Sequence, residues 1–71
     1  MILLEEKPGS YRAEVSEDRN TLELVRQPGV TRKDMPETTA MLLEGVWIAS
    51  VLEVNEEGEF RERWFRASKP A

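Results

Sequence analysis

The sequence predicts a mainly β (α+β) fold: a four- to five-stranded antiparallel sheet, or a small SH3-like barrel, with one short helix near residues 35–44. Three observations carry that expectation. Apolar and polar residues alternate along several short runs, the pattern of strands with one buried face. Gly, Pro and Asn punctuate those runs at turn-like positions. The stretch from Val46 to Ala67 holds both tryptophans and both phenylalanines and is rich in β-branched residues, so it reads as the central hairpin.

Taken in order, Ile2, Leu3 and Leu4 form a first strand that ends in Glu5 and Glu6. Pro8-Gly9 suits a type II turn, which splays strands rather than closing a tight hairpin, so a corner is expected there. Tyr11, Ala13 and Val15 share one face of a second strand, with Arg12 and Glu14 on the other. Leu22 and Leu24 answer from a third strand, placing Val15 opposite Leu22 and Ala13 opposite Leu24. Asn20 is expected to take the positive φ in the turn between them. This register sets Glu14 against Glu23, an unfavourable pair that calls for Arg12 or another cation nearby. Pro28-Gly29 marks a second corner. Asp34, Pro36 and Glu37 have the spacing of a helix start, and Gly45 is a helix stop. A helix over 35–44 would bury Met35, Thr39, Leu42 and Leu43. A strand over 38–43, or a helix running on toward Leu52, are the competing readings, and the β-branched residues from Val46 onward oppose the latter.

In the central hairpin, Asn55 opens the turn and Gly58 closes a three-residue loop in the left-handed conformation. Val54 then faces Phe60 and Glu53 faces Arg61. Strict alternation assigns Val46, Ile48, Ser50, Leu52, Val54, Phe60, Glu62, Trp64 and Arg66 to one face. The opposite face carries Trp47, Ala49, Val51, Glu53, Arg61, Arg63, Phe65 and Ala67. The first face is the better core, which leaves Trp47 and Phe65 as covered residues or as a surface patch. Residues 1–67 are expected to be a single compact domain and 68–71 a flexible tail.

Seventy-one residues bury only a modest core, and with no cysteine no disulfide staples it. The absence of Cys suits a reducing, cytoplasmic setting. No apolar run is long enough to span a membrane, and Met1 to Leu4 is too short for a signal peptide. The net charge is −4, divided into −7 over residues 1–60 and +3 over residues 61–71. That balance disfavours nonspecific binding to nucleic acid or anionic membrane and favours a basic partner.

With no His and no Cys, the usual general base, thiolate nucleophile and zinc ligands are missing. The glutamates of the Asn55–Glu59 turn lack the spacing of a calcium loop. There is no nucleophile elbow and no phosphate-cradling glycine loop. The chain is therefore expected to be no enzyme and to need no cofactor or metal. Arg61 to Arg66 interleaves basic and aromatic residues, a pattern that suits phosphates and bases. The plainer reading pairs Arg61 with Glu53 and places Trp64 in the core. Aromatics with arginines are also the residues most enriched at protein interface hot spots. Trp47, Arg61, Arg63, Phe65 and Arg66 are accordingly the candidate protein-binding residues.

A short, acidic, cysteine-free single domain is similar in overall character to small phage-encoded regulators of host RNA polymerase. The resemblance lies in size and charge over the whole chain, and no motif transfers a functional residue. It implies a cytoplasmic protein that binds RNA polymerase and alters transcription, and so a monomeric, non-catalytic regulator whose partner is a protein with a basic surface. A nucleic-acid-binding β module using residues 61–66 and a structural or assembly component are the alternative expectations.

Overall fold

The computed structural model describes residues 1–68. Strands β1 (Ile2–Lys7), β2 (Tyr11–Val15) and β3 (Thr21–Arg26) are followed by a 3₁₀ turn (Arg32–Asp34) and helix α1 (Pro36–Leu42). The hairpin strands β4 (Val46–Val54) and β5 (Phe60–Ser68) complete the fold. All pairings are antiparallel, and the five strands lie in the order β1-β2-β3-β5-β4. The expected antiparallel sheet with one helix is thus the observed architecture, as an open sheet rather than a barrel. β5 inserts between β3 and β4, so β1 and β4 are the edges. Ser68, assigned above to the tail, belongs to β5, and the rest of the expected tail lies outside the described residues.

Local chemistry explains most of these elements. In the β4–β5 turn the Asn55 side chain accepts the amides of Glu57 and Glu59 at 3.0 and 2.9 Å, and Gly58 takes φ +83°. A Cβ at Gly58 would meet nothing within 4 Å, so the glycine is required for its backbone angle alone. Gly58→Ala should therefore cost about 1–2 kcal/mol, the left-handed penalty of an L-residue. Urea unfolding should show a lower midpoint with an unchanged slope. Between β2 and β3, Arg19 rather than Asn20 takes the positive φ, at +61°. The Asn20 amide is held by Ser16 Oγ and Asp18 Oδ1, which fixes Asn20 and moves the reversal one residue earlier.

The two Pro-Gly turns behave differently. Both close with a hydrogen bond across four residues, Ser10 to Lys7 and Val30 to Gln27. The second releases the chain into the 3₁₀ turn, as a corner. The first pairs β1 directly with β2, Lys7 opposite Tyr11, contrary to the expected corner. A bulge between Leu3 and Glu5 lets β1 bend and twist against β2 despite the turn type.

Helix α1 begins at Pro36, one residue later than expected, and Gly45 follows the helix with φ +101°. Asp34 caps the preceding turn instead, accepting the Thr31 amide at 2.8 Å. Met35 is buried and Leu42 packs partly buried against the core, as expected, but Thr38 and Met41 are the buried residues within the helix, Thr39 is half-buried and Leu43 is 80% exposed. Thr38 can be buried because Glu5 of β1 accepts both its amide and its hydroxyl at 2.6 Å. Met35 and Met41 complete the core with Ala13, Val15, Leu22 and Leu24, on what is hereafter the inner face of the sheet.

The largest departure lies in the hairpin. Pairing runs as expected from Val54–Phe60 to Val51–Arg63, but Ala49 then lies opposite Trp64, leaving Ser50 as an extra residue. One inserted residue exchanges the faces of everything before it. Ile48 lies opposite Phe65 on the outer face, and Trp47 lies opposite Arg66 on the inner face. The expected joint face of Trp47, Arg61, Arg63 and Phe65 therefore does not form. Nor are Val46, Ile48, Leu52 and Val54 core residues, because all four are exposed. Helix α1 packs over the β1–β3 side and touches β4 at Trp47, and the rest of β4 lies beyond its cover.

Candidate functional site

Each candidate residue of the hairpin has a definite place. Phe65 lies on the outer face next to Ile48 and is exposed. Arg61 and Arg63 share that face. Arg63 pairs with Glu23 at 2.6 Å and Arg61 with Glu53 at 3.6 Å. Arg12 bridges Glu6 at 2.8 Å and Glu14 at 3.5 Å, so the opposed Glu14 and Glu23 each have the cation their register demands. Glu6, first by its hydrogen bond and then by its charge, raises the Arg12 pKa above its ordinary value. The outer face of β2, β3 and β5 is thus a field of exposed ion pairs, individually worth little.

Trp47 and Arg66 occupy the inner face. The Trp47 indole donates to the Met41 carbonyl at 3.0 Å and lies 4.4 Å beneath the Arg66 guanidinium. Arg66 also donates to the carbonyls of Arg19 and Glu44. This pair locks the entry of β4 to the end of α1 and to the β2–β3 turn. Two more arginines lie over aromatics: Arg26 at 4.8 Å from the Phe60 ring and Arg32 at 5.7 Å from Trp64. The basic-aromatic interleaving is therefore largely satisfied within the molecule.

Glu62 is the organiser of that region. It lies on the inner face, 8% exposed, between Leu24 and Leu52. Its carboxylate accepts Arg26 Nε, Arg32 and the Trp64 indole, each at 3.1 Å. Three donors compensate its desolvation, as a buried charge requires. A glutamate between Phe60 and Trp64 on the face expected to be core was the signal in the sequence that such donors must exist. Their identity was not readable, because Arg26 and Arg32 come from distant positions. Among the described residues, no buried side-chain nitrogen or oxygen lacks a partner, and no group of three or more His, Cys, Asp or Glu is placed to hold a metal ion.

What remains open is β4. Leu52 is 67% exposed and Val54 59%, both on the inner face beside Phe60. They border an open groove of about 510 Å³ whose floor includes Phe60 and Trp64. On the outer face of the same strand Ile48 is 58% exposed. These residues were assigned to the core above. The bulge that turns Ile48 outward has no signature in the alternation of residues 46–54, whereas Leu52 and Val54 keep their expected face and are exposed because nothing packs over that part of the edge strand. Apolar side chains exposed at a strand edge suit association with another surface. No helix among the described residues is long and apolar enough to cross a membrane. Comparison with known protein families, with curated proteins and with solved structures gives no match to this chain.

Proposed function

We propose that this chain is a non-catalytic protein-binding regulator that docks its partner on the β4–β5 hairpin. The supporting observation is the exposure of Ile48, Leu52 and Val54 along one strand, outside the buried core. Phe65, exposed opposite Ile48, extends the contact on the outer face, with Arg61 and Arg63 at its border. Trp47 and Arg66 support this surface from within. The net charge of −4 selects a partner with a basic surface, encountered faster and held more tightly at low salt. The likeness in size and charge to phage-encoded transcription regulators makes RNA polymerase the first partner to test, in a cytoplasmic setting and with a monomeric regulator.

The test is binding of the purified chain to purified bacterial RNA polymerase, with parallel capture from a bacterial extract. Ile48→Ser and Leu52→Ser should each weaken binding about tenfold, since burying a side chain of that size contributes roughly 1.5–3 kcal/mol and about 1.4 kcal/mol is a factor of ten. Both sites are exposed, so folding should be retained. Raising the salt concentration should weaken the complex further. The polymerase assignment fails if wild type shows no binding. The regulator reading fails if no captured protein is lost when both residues are changed.

A further inference from the structure

We propose that the open edge of β4 receives an extended peptide segment of the partner as a sixth strand, and that this segment alternates apolar residues with Lys or Arg. The proposal rests on the protein-binding reading above and specifies its geometry. β4 pairs with β5 along one side only and is the last strand of the sheet. Its nine residues contain a single charged side chain, Glu53, whose exposed carboxylate is paired with Arg61. Proteins ordinarily blunt such an edge with charge or proline.

The other edge shows that contrast within the same sheet. β1 is apolar only at its start and continues as Glu5, Glu6 and Lys7, with a bulge in its middle and Pro8 directly after it. β4 carries a bulge as well, but there the extra residue redistributes apolar side chains instead of ending them. Ile48 emerges on the outer face and Leu52 and Val54 on the inner face. A partner resting on one face of the sheet would cover one of these sets. A strand laid beside β4 that alternates apolar and basic residues sets its apolar side chains beside Leu52 and Val54 on the inner face and its basic ones beside Glu53 on the outer face, while its backbone completes the ladder.

Charge decides the occupant. The Asn55–Glu59 turn at the end of β4 presents Glu56 and Glu57 to solvent, and Glu53 lies just before it. A segment whose polar positions are Lys or Arg meets attraction along this end. A second copy of this chain brings its own net charge of −4 and its own Glu53 to the same edge, so it is the disfavoured occupant.

The experiment uses the full chain and three fluorescein-labelled, acetylated and amidated nonapeptides in which lysine alternates with valine, leucine or phenylalanine. Each peptide is also made with N-methyl groups on alternate amides, in both phases, so that one version blocks the face of the peptide backbone turned toward β4. Fluorescence anisotropy should show saturable binding of at least one peptide, lost at least tenfold in one methylated phase and retained in the other. Ile48→Lys and Leu52→Lys, on opposite faces, should each weaken that binding at least fivefold. Sedimentation of the chain alone should show a monomer.

The proposal is overturned if none of the three peptides binds, if both methylated phases bind like the parent, or if only one of the two variants has an effect. It is also overturned if the chain alone forms a dimer that Leu52→Lys disperses, since the edge would then be filled by a second copy. Loss of a captured protein in the Ile48→Ser, Leu52→Ser variant, together with any of those peptide results, would leave the protein-binding reading standing while removing strand addition.

Discussion

Replacing Glu62 with alanine should destabilise the fold by about 3 kcal/mol, within the usual range for breaking a buried ion pair. The reason is what the substitution leaves behind. Arg26 and Arg32 both converge on this carboxylate at 3.1 Å, and the Trp64 indole does so as well. Without it, two guanidiniums and an indole N–H face an apolar wall made by Leu24 and Leu52 on neighbouring strands. The arginines are partly exposed and can swing toward water, which keeps the cost nearer the low end of that range than a fully enclosed pair would reach. The partly buried Trp64 N–H sits on a rigid ring and has less freedom. Glu62→Gln keeps the shape and one carbonyl acceptor and should cost about half as much, since hydrogen bonds to a charged group contribute more than neutral ones.

A triple variant, Glu62→Leu with Arg26→Met and Arg32→Met, separates net stabilisation from the penalty of an orphaned partner. Its stability should lie closer to wild type than that of Glu62→Ala, because the charges are removed together and comparable volume is replaced. Urea unfolding followed by far-ultraviolet circular dichroism measures all three variants without depending on the tryptophans. If the triple variant proves less stable than Glu62→Ala, the network contributes net stability rather than specificity of packing.

The same residue shows where sequence reasoning reached and where it stopped. Local signals transferred well. Asn55 and Gly58 fixed the turn and hence the pairing of Val54 with Phe60 and Glu53 with Arg61. Alternation in β2 and β3 placed Ala13 against Leu24 and Val15 against Leu22. Pro36 and Gly45 bounded the helix. Each of these depends on residues within a single hairpin or a single helix.

Nonlocal facts did not transfer. That β5 pairs with β3, and that Glu62 therefore faces Leu24 and meets Arg26 and Arg32, depends on how the chain returns after the helix. The bulge at Ser50 was hidden for a different reason. Val46 to Val54 is apolar at most positions of both phases, so period-two reasoning had no penalty to assign to a slip. The slip is settled instead by Trp47, whose ring is the largest in β4. It gains the Met41 carbonyl and the Arg66 guanidinium on the inner face, and Ile48 goes outward in exchange. Hence Phe65 stayed where the sequence reading put it, while Trp47 left that face. In the candidate surface only Phe65, Arg61 and Arg63 were correctly grouped.

Leu22→Ala should be the most damaging single truncation, costing about 3–5 kcal/mol. Leu22 is 0% exposed and lies on the central strand, opposite Val15 on one side and Trp64 on the other. Among the described residues six apolar residues are buried in this core, so few neighbours are available to collapse into the space. A chain of this length has a total stability on the order of 4–10 kcal/mol, and the variant would forfeit a large fraction of it. The volume-conserving Leu22→Met should cost less than about 1.5 kcal/mol.

The informative comparison is with Leu52→Ala. Strict alternation made Leu52 a core residue of the central hairpin, whereas the structure leaves it two-thirds exposed on the edge strand. Its truncation should change stability by no more than about 0.5 kcal/mol, the range of ordinary surface substitutions. The two leucines thus report on the centre and the edge of the same sheet face. A cost above about 2 kcal/mol at Leu52 would mean that something covers β4 in the isolated chain, and the open edge on which partner binding is proposed would not exist. A small cost there, with a large one at Leu22, would locate the stabilising core in β2, β3 and α1 and leave the outer strand of the hairpin free for a partner.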